Sequence, residues 1–251
     1  MEHGKIRIGT SGFSYKDWLG NFYPNFCPDR DFLRYYSSQF NTVEIDSTFY
    51  RIPAAGTVRK WADTTPEDFV FAAKFPRTVT HEGEPGQRVD EAGRFIDAIR
   101  ELGSKLGPLL LQFPYGFKPE EFGVLESIVS AMPEGLAVSV ELRNKKWLTD
   151  QLYTLLKDRN ISLCLIDHPW MPRLTVRTGP FQYIRLLGDR KKIESDFSFV
   201  RDEREDDLRS WRDVIRGAAQ QGTDVFIYIN NHYTGHSPTT ARQLAGLVNG
   251  S

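Results

Sequence analysis

The feature that most restricts the fold of this chain is a series of eight short apolar runs, separated mostly by stretches with helical periodicity. The runs fall at residues 6–12, 42–46, 69–75, 109–113, 136–143, 161–167, 181–186 and 224–229. Strands that are apolar on both faces and alternate with helices belong to a parallel sheet covered on both sides. Two architectures satisfy that condition, an open doubly wound sheet and a closed barrel. The doubly wound sheet calls for a GxGxxG turn between its first strand and first helix. Here only Gly9-Thr10-Ser11-Gly12 stands there, and no suitable helix begins beside it. The length of 251 residues matches the roughly 250 typical of a (β/α)8 barrel. No interior linker or repeat divides the chain. The reading is an α/β fold, a single TIM-like barrel domain over residues 1–251.

The segments between the runs supply the outer layer. Periodicity predicts helices over 29–40, with Phe32, Leu33, Tyr36 and Phe40 on one face, and over 89–106, through Ala92, Phe95, Ile96, Ile99 and Leu102. Shorter or capped helices are predicted over 57–63, over 119–131, over 150–159 behind Thr149 as cap, and over 206–220. Ser237 and Pro238 read as the cap and first position of a terminal helix. Residues 77–88 are polar and contain glycine, and read as a loop. After the sixth strand Pro169, Pro172, Gly179 and Pro180 leave little room for a helix, so that crossover is expected to be irregular.

Charge and cysteine content exclude several classes. Lys and Arg number 32 against 33 Asp and Glu, which argues against a surface built to coat nucleic acid or membrane. Cys27 and Cys164 lie far apart with no CxxC or Cys/His spacing, so neither a disulfide framework nor a zinc module is expected. The chain enters its first strand without an apolar signal region, and no run approaches the roughly 18 apolar residues of a membrane span. A cytoplasmic protein without a membrane partner is the expectation.

In a barrel the strand C-termini meet at the face that carries the chemistry. The polar residues ending these strands are Thr10, Ser11, Glu44, Asp46, Lys74, Gln112, Glu141, Arg143, Asp167, Arg185, Asn230 and Asn231. Strand alternation puts Glu141 with Arg143, and Glu44 with Asp46, on common faces. One such residue ordinarily caps a turn or pairs an ion. Polar ends on every strand point to a binding or catalytic rim, because an apolar interior would cost less. Glu44 and Glu141, on opposite parts of the ring, are the acid/base pair. Asp167 and Lys74 complete the catalytic candidates, and a Schiff-base role for Lys74 is a minor alternative.

Thr10, Ser11, Asp46, Tyr50, Gln112, Arg143, Trp147, Arg185, Asn230 and Asn231 form the expected substrate-binding set. Arg143 and Arg185 offer forked donors, and Asn230 and Asn231 precede a helix start, which together favour a small anionic ligand. The aromatic content of 13% is mostly core, with a subset able to stack on a sugar ring or a base. Magnesium or manganese on Glu44, Asp46, Glu141, Asp167 and His168 is the weaker alternative. No HxH or HExxH pattern supports it and three cations compete for the carboxylates, so no cofactor and no metal ligand are assigned.

The wording of the strand ends adds a resemblance. Residues 8–15 (IGTSGFSY), 40–50 (FNTVEIDSTFY) and 105–114 (KLGPLLLQFP) resemble the YecE-like family, a domain of unknown function, number seventy-two. Thr65-Pro66-Glu67-Asp68-Phe69, Lys74, Thr80-His81-Glu82 and residues 228–232 (YINNH) extend the likeness over nearly the whole chain. The resemblance implies a TIM-like barrel with a polar pocket at the strand C-termini, and no established reaction. Two departures stand out: Asn144 occupies a position where the family commonly has His, and Leu187 another. Both speak against a histidine base or a histidine-ligated metal. The resulting expectation is a hydrolase, lyase or isomerase acting on a small anionic, phosphorylated or carbohydrate-like molecule. The alternative is a non-enzymatic module for nucleic acid or a protein partner, motivated weakly by Asp189-Arg190-Lys191-Lys192.

Overall fold

The computed structural model describes residues 3–250. Eight parallel strands form one sheet: β1 (Ile6–Thr10), β2 (Thr42–Ile45), β3 (Val70–Lys74), β4 (Leu106–Gln112), β5 (Val138–Glu141), β6 (Ser162–Asp167), β7 (Phe181–Leu186) and β8 (Asp224–Ile229). Their spatial order is β1-β8-β7-β6-β5-β4-β3-β2, so each strand lies beside its neighbour in sequence and β1 also pairs with β8. The seam between β1 and β2 is closed by a parallel bridge from Ser11 to Glu44 and by the Gly12 amide donating to Glu44 O at 2.8 Å. The closure needs Gly9, because a Cβ there would lie 2.3 Å from the Thr42 carbonyl oxygen. This is the (β/α)8 barrel expected from the alternation of runs.

The crossovers are α1 (Phe32–Gln39), α2 (Ala55–Thr64), α3 (Arg77–Thr80), α4 (Pro85–Ile99), α5 (Phe122–Ser130), α6 (Asp150–Asp158), α7 (Glu205–Gln220), α8 (Asn231–Thr234) and α9 (Ser237–Asn249). No helix lies between β6 and β7, as the prolines there require. Thr149 caps α6 by accepting from the Leu152 amide. Two local expectations are corrected. Residues 77–88 are not one loop, since α3 and the first turn of α4 occupy most of them; Glu84 and Gln87 form a capping box that starts α4 at Pro85. The terminal helix begins one residue earlier than Ser237 as cap implies. His236 is its N-cap, accepting from the Thr239 amide through its ring, and Ser237 is already helical.

Side-chain alternation sorts the strands into two surfaces. Outward residues such as Val43, Ile45, Phe71, Leu109, Leu111, Val138, Val140 and Leu163 pack under the helices in one large core. A second outer core joins Leu165, Ile184, Ile227 and Ile229 to Trp211 and Ile215 of α7 and to Leu244 of α9. The barrel interior is a smaller cluster containing Ala72, Leu110, Cys164, Ile166, Phe181, Tyr183 and Tyr228. Its polarity rises along the strand direction. On β7, Phe181 lies at the N-terminal end, Tyr183 in the middle and Arg185 near the C-terminal end, all inside and all buried. No helix among the described residues is long and apolar enough to cross a membrane.

Candidate functional site at the C-terminal mouth of the barrel

The floor of the mouth is built on Arg185. Its guanidinium donates to Glu44 Oε1 through Nε at 3.1 Å and Nη2 at 2.7 Å, and to Glu141 Oε2 through Nη1 at 2.6 Å. Arg143 Nε adds a bond to Glu141 Oε1 at 2.7 Å. Ser11 Oγ and Tyr183 OH complete the shell of Glu44 at 2.7 and 2.6 Å. Both glutamates are fully buried. Such charges are tolerated in a low-dielectric interior only when paired and hydrogen-bonded, and here every carboxylate oxygen has a donor.

That geometry engages both members of the expected acid/base pair in ion pairs or hydrogen bonds. Burial alone would raise the Glu141 carboxyl, but Arg185 and Arg143 outweigh it and hold it down to about 2. A carboxylate kept ionised by two guanidinium groups has no proton to give near neutrality. Glu44 has both oxygens occupied by Ser11, Tyr183 and Arg185. The two glutamates are fixed counter-charges that orient Arg185 and Arg143.

Above this floor lies a cavity of about 390 Å³, lined by Asp46, Tyr50, Lys74, Gln112, Arg143, Arg185 and Asn230 from the expected set. A neighbouring cleft of about 850 Å³ shares Asp46, Tyr50, Arg190, Asn230 and His232 with it. Two titratable groups in the cavity are displaced toward neutrality. Burial, with Glu44 nearby, pushes the Asp46 carboxyl up to about 6 against the opposing pull of Arg185 and Lys74. Asp46 Oδ1 is out of solvent contact and accepts no hydrogen bond; the nearest cation, Arg185 Nη2, stands 3.6 Å away. Burial likewise pulls the Lys74 amine down to about 8, opposed by Asp46 and assisted by Arg185. Lys74 Nζ sits 4.0 Å over the Phe49 ring, and Lys74 is only 8% exposed. Among the described residues Nζ has no hydrogen-bond acceptor.

Three imidazoles also reach this cavity: His81, His168 and His232. Burial and the cations Lys74 and Arg143 pull His81 down to about 4. His168 is lowered by burial and then by Arg143, and His232 by burial and by Arg190, against a backbone bond that raises it. All three are therefore neutral donors or acceptors. His232 has both ring nitrogens engaged, Nδ1 with Ile193 O at 2.6 Å and Nε2 accepting from Arg190 Nε at 3.2 Å. Its position depends on Gly188, whose φ is +68° and where a Cβ would lie 2.3 Å from His232 O. His81, on the C-cap of α3, and Arg190, in the charged loop, were outside the expected set. Both come from loops whose path no periodicity encodes.

Four expected residues are placed elsewhere. Asp167 faces outward with Leu163 and Leu165, and its carboxylate accepts from Arg173 at 2.9 Å, Trp211 Nε1 at 2.7 Å, Tyr233 OH at 3.1 Å and Arg204 at 3.4 Å. It anchors the helical layer to β6, not the cavity. Thr10 also faces outward, donating to the Gly12 carbonyl at 2.6 Å and meeting Tyr36 OH at 2.9 Å. Trp147 is buried in an aromatic stack, 5.1 Å from Phe117 at an interplanar angle of 14°, and donates to Phe117 O. Asn231 lines the larger cleft, yet its amide oxygen is taken by Trp18 Nε1 and by the amide and hydroxyl of Ser237. Ser11 meets the site only through Glu44, Gln112 Nε2 is turned onto Phe113 O at 2.7 Å, and Asn230 caps α8 through the His232 amide.

The metal alternative does not fit these positions. Arg185 stands between Glu44 and Glu141, and Asp167 points away from both. Among the described residues no three His, Cys, Asp or Glu side chains converge as ligands. Of the loop cations, Arg190 turns onto His232 and Lys192 pairs with Asp202 at 2.8 Å.

The fold and the mouth thus define a TIM-barrel protein with a cationic cavity over a buried arginine–carboxylate floor. The chain belongs to a family described as "Protein of unknown function DUF72", whose model matches residues 7–251. It is 25% identical to the UPF0759 protein YunF of Bacillus subtilis (strain 168), covering 97% of this chain and 94% of that one. It is 29% identical to the UPF0759 protein YecE of Escherichia coli (strain K12) over 167 residues, 64% of this chain and 59% of that one. A solved DUF72 family protein from Thermotoga maritima MSB8 superposes with a TM-score of 0.83 at 25% identity, covering 98% of this chain and 99% of that one.

Proposed function

We propose that this protein is an enzyme that binds a small anionic molecule in the cavity at its barrel mouth and moves protons on it between Asp46 and Lys74. The observation that carries this reading is Lys74 Nζ, an amine facing the cavity with no acceptor of its own. Charge balance supports it. Glu44 and Glu141 are matched by Arg185 and Arg143, so Lys74 and Arg190 face Asp46 alone and the cavity is left with one positive charge in excess. Around an incoming anion, Arg143 and Arg190 offer guanidinium donors and the neutral imidazoles of His81 and His168 offer adjustable ones. A carboxyl raised to about 6 and an amine lowered to about 8 bracket neutral pH, the arrangement that lets one group hold a proton while the other releases it.

Titration calorimetry with inorganic sulfate, whose charge stays constant across this pH range, tests the reading. Below about pH 6 Asp46 is neutral and repels an anion least; above about pH 8 Lys74 has lost its charge. Affinity should therefore fall in two steps as pH rises. Asp46→Asn should remove the lower step and Lys74→Met the upper one. A flat profile in the wild type, or one that neither substitution changes, refutes the assignment.

A further inference from the structure

We propose that Lys74 is a covalent amine, condensing through Nζ with the carbonyl carbon of a small anionic aldehyde or ketone. The proposal rests on the anion-binding reading of the same cavity and adds the chemical class of what binds there.

The contrast with a second lysine carries it. Lys105, between the α2–β3 turn and β4, donates from Nζ to Ala62 O, to Thr65 O at 2.7 Å and to Thr65 Oγ1 at 3.3 Å. Three acceptors are what a lysine ammonium needs when water is excluded, and Lys105 is a structural cation. Lys74 is more buried and has none, only the face of Phe49 at 4.0 Å. An ammonium ion held there has no protein acceptor and only the solvent contact of the cavity, whereas a neutral amine loses little. Arg185 and Arg143 on the same floor favour the neutral form further. A desolvated lysine beside other cations is the environment that turns an amine into a nucleophile. Cavity size and charge set the partner: about 390 Å³, with Arg143 and Arg190 on the wall to hold a carboxylate or phosphate while the carbonyl lies against Nζ.

The condensation balances without any redox partner. The Nζ lone pair forms a C–N bond as the C=O π pair moves to oxygen, which takes up a proton and becomes a hydroxyl. Nitrogen releases one proton, the hydroxyl leaves as water after gaining another, and loss of the remaining N–H proton restores charge in the C=N product. The sum is amine plus carbonyl to imine plus water. Asp46, on the same cavity, is the group placed to carry these protons.

The test uses the full chain and two probes, pyridoxal phosphate and the smaller glyoxylate. Each is supplied below one equivalent, reduced with borohydride and mapped by peptide mass spectrometry. An amine lowered to about 8 carries on the order of a hundredfold more free base at neutral pH than an ordinary lysine. Lys74 should therefore take label at least about tenfold faster than any other lysine, Lys105 and Lys192 serving as internal controls. Label spread over exposed lysines with both probes, leaving Lys74 unmodified, overturns the proposal. Inorganic phosphate separates this from the reading beneath it. Phosphate that binds by calorimetry while Lys74 stays unlabelled leaves the anion site standing without the imine. Lys74 labelling that phosphate does not slow supports the amine and removes the anion site.

Discussion

Arg185→Met is the perturbation that most directly interrogates the floor of the site. It removes the one cation that bonds both Glu44 and Glu141 and leaves two fully buried carboxylates with Arg143 alone. Breaking a buried ion pair from one side costs about 3–5 kcal/mol, out of a total stability of about 5–15 kcal/mol. The wild-type value can be worked from Glu141, which is held at about 2 against an ordinary 4.5. That depression corresponds to roughly 3 kcal/mol, with no solvent discount for a side chain that is wholly buried. A depressed carboxyl contributes stability that is present above its ordinary range and is lost as pH falls through the folded value. Wild-type stability should therefore drop between about pH 4.5 and 2 from this source. In the variant the buried pair gains by taking up a proton, so its stability should rise as pH is lowered from about 7 toward 5. Urea unfolding followed by tryptophan fluorescence across pH measures both slopes, and a variant that folds only at the acid end shows the same effect. A loss below about 1 kcal/mol, or a variant slope of the same sign as the wild type, refutes the account of the floor.

Two other outcomes are expected. Asp167→Asn should cost about 2–4 kcal/mol in urea unfolding, because four donors on Arg173, Arg204, Trp211 and Tyr233 lose their ionised acceptor. Phosphate affinity by calorimetry should stay unchanged, since Asp167 faces the helices. Gly188→Ala should cost about 2 kcal/mol or more by the same unfolding assay. It should also weaken phosphate binding, because the new methyl collides with His232 O and displaces that residue and Arg190.

The barrel could be read from the chain because a strand buried on both faces is a continuous apolar run, and eight such runs with helical intervals have few closed arrangements. The same double burial hid which way each strand end points. On β6, Leu163, Leu165 and Asp167 alternate with Cys164 and Ile166, and both series are apolar until the last residue. Nothing local says that Asp167 belongs to the helical side. β5 was clearer, since Ser139 and Glu141 share a face opposite Val138 and Val140. Pairing was less accessible still. Glu44 and Arg185 are separated by 141 positions, and whether a strand-end glutamate is a proton carrier or a counter-ion depends on such a partner. His81 and Arg190 reach the cavity from turns set by long-range packing. At the last helix the capping pattern of Ser237-Pro238 competed with a histidine ring one residue earlier, and the ring took the cap because Ser237 is drawn onto Asn231.

Arg185 joins β7 to Glu44 on β2 and Glu141 on β5, so three staves from different parts of the ring meet at one guanidinium. Such a brace works like the hub of a wheel: it sets the spacing of the rim from inside and asks nothing of the loops outside. Tyr50, Tyr115 and Trp170, all more than half exposed, stand on those loops and line the cavity wall. If the cavity binds the anion proposed above, the wall that selects it can be rebuilt by exchanging loops, while the floor keeps its shape and charge. For protein engineering, this makes the barrel a chassis whose specificity can be changed separately from its stability.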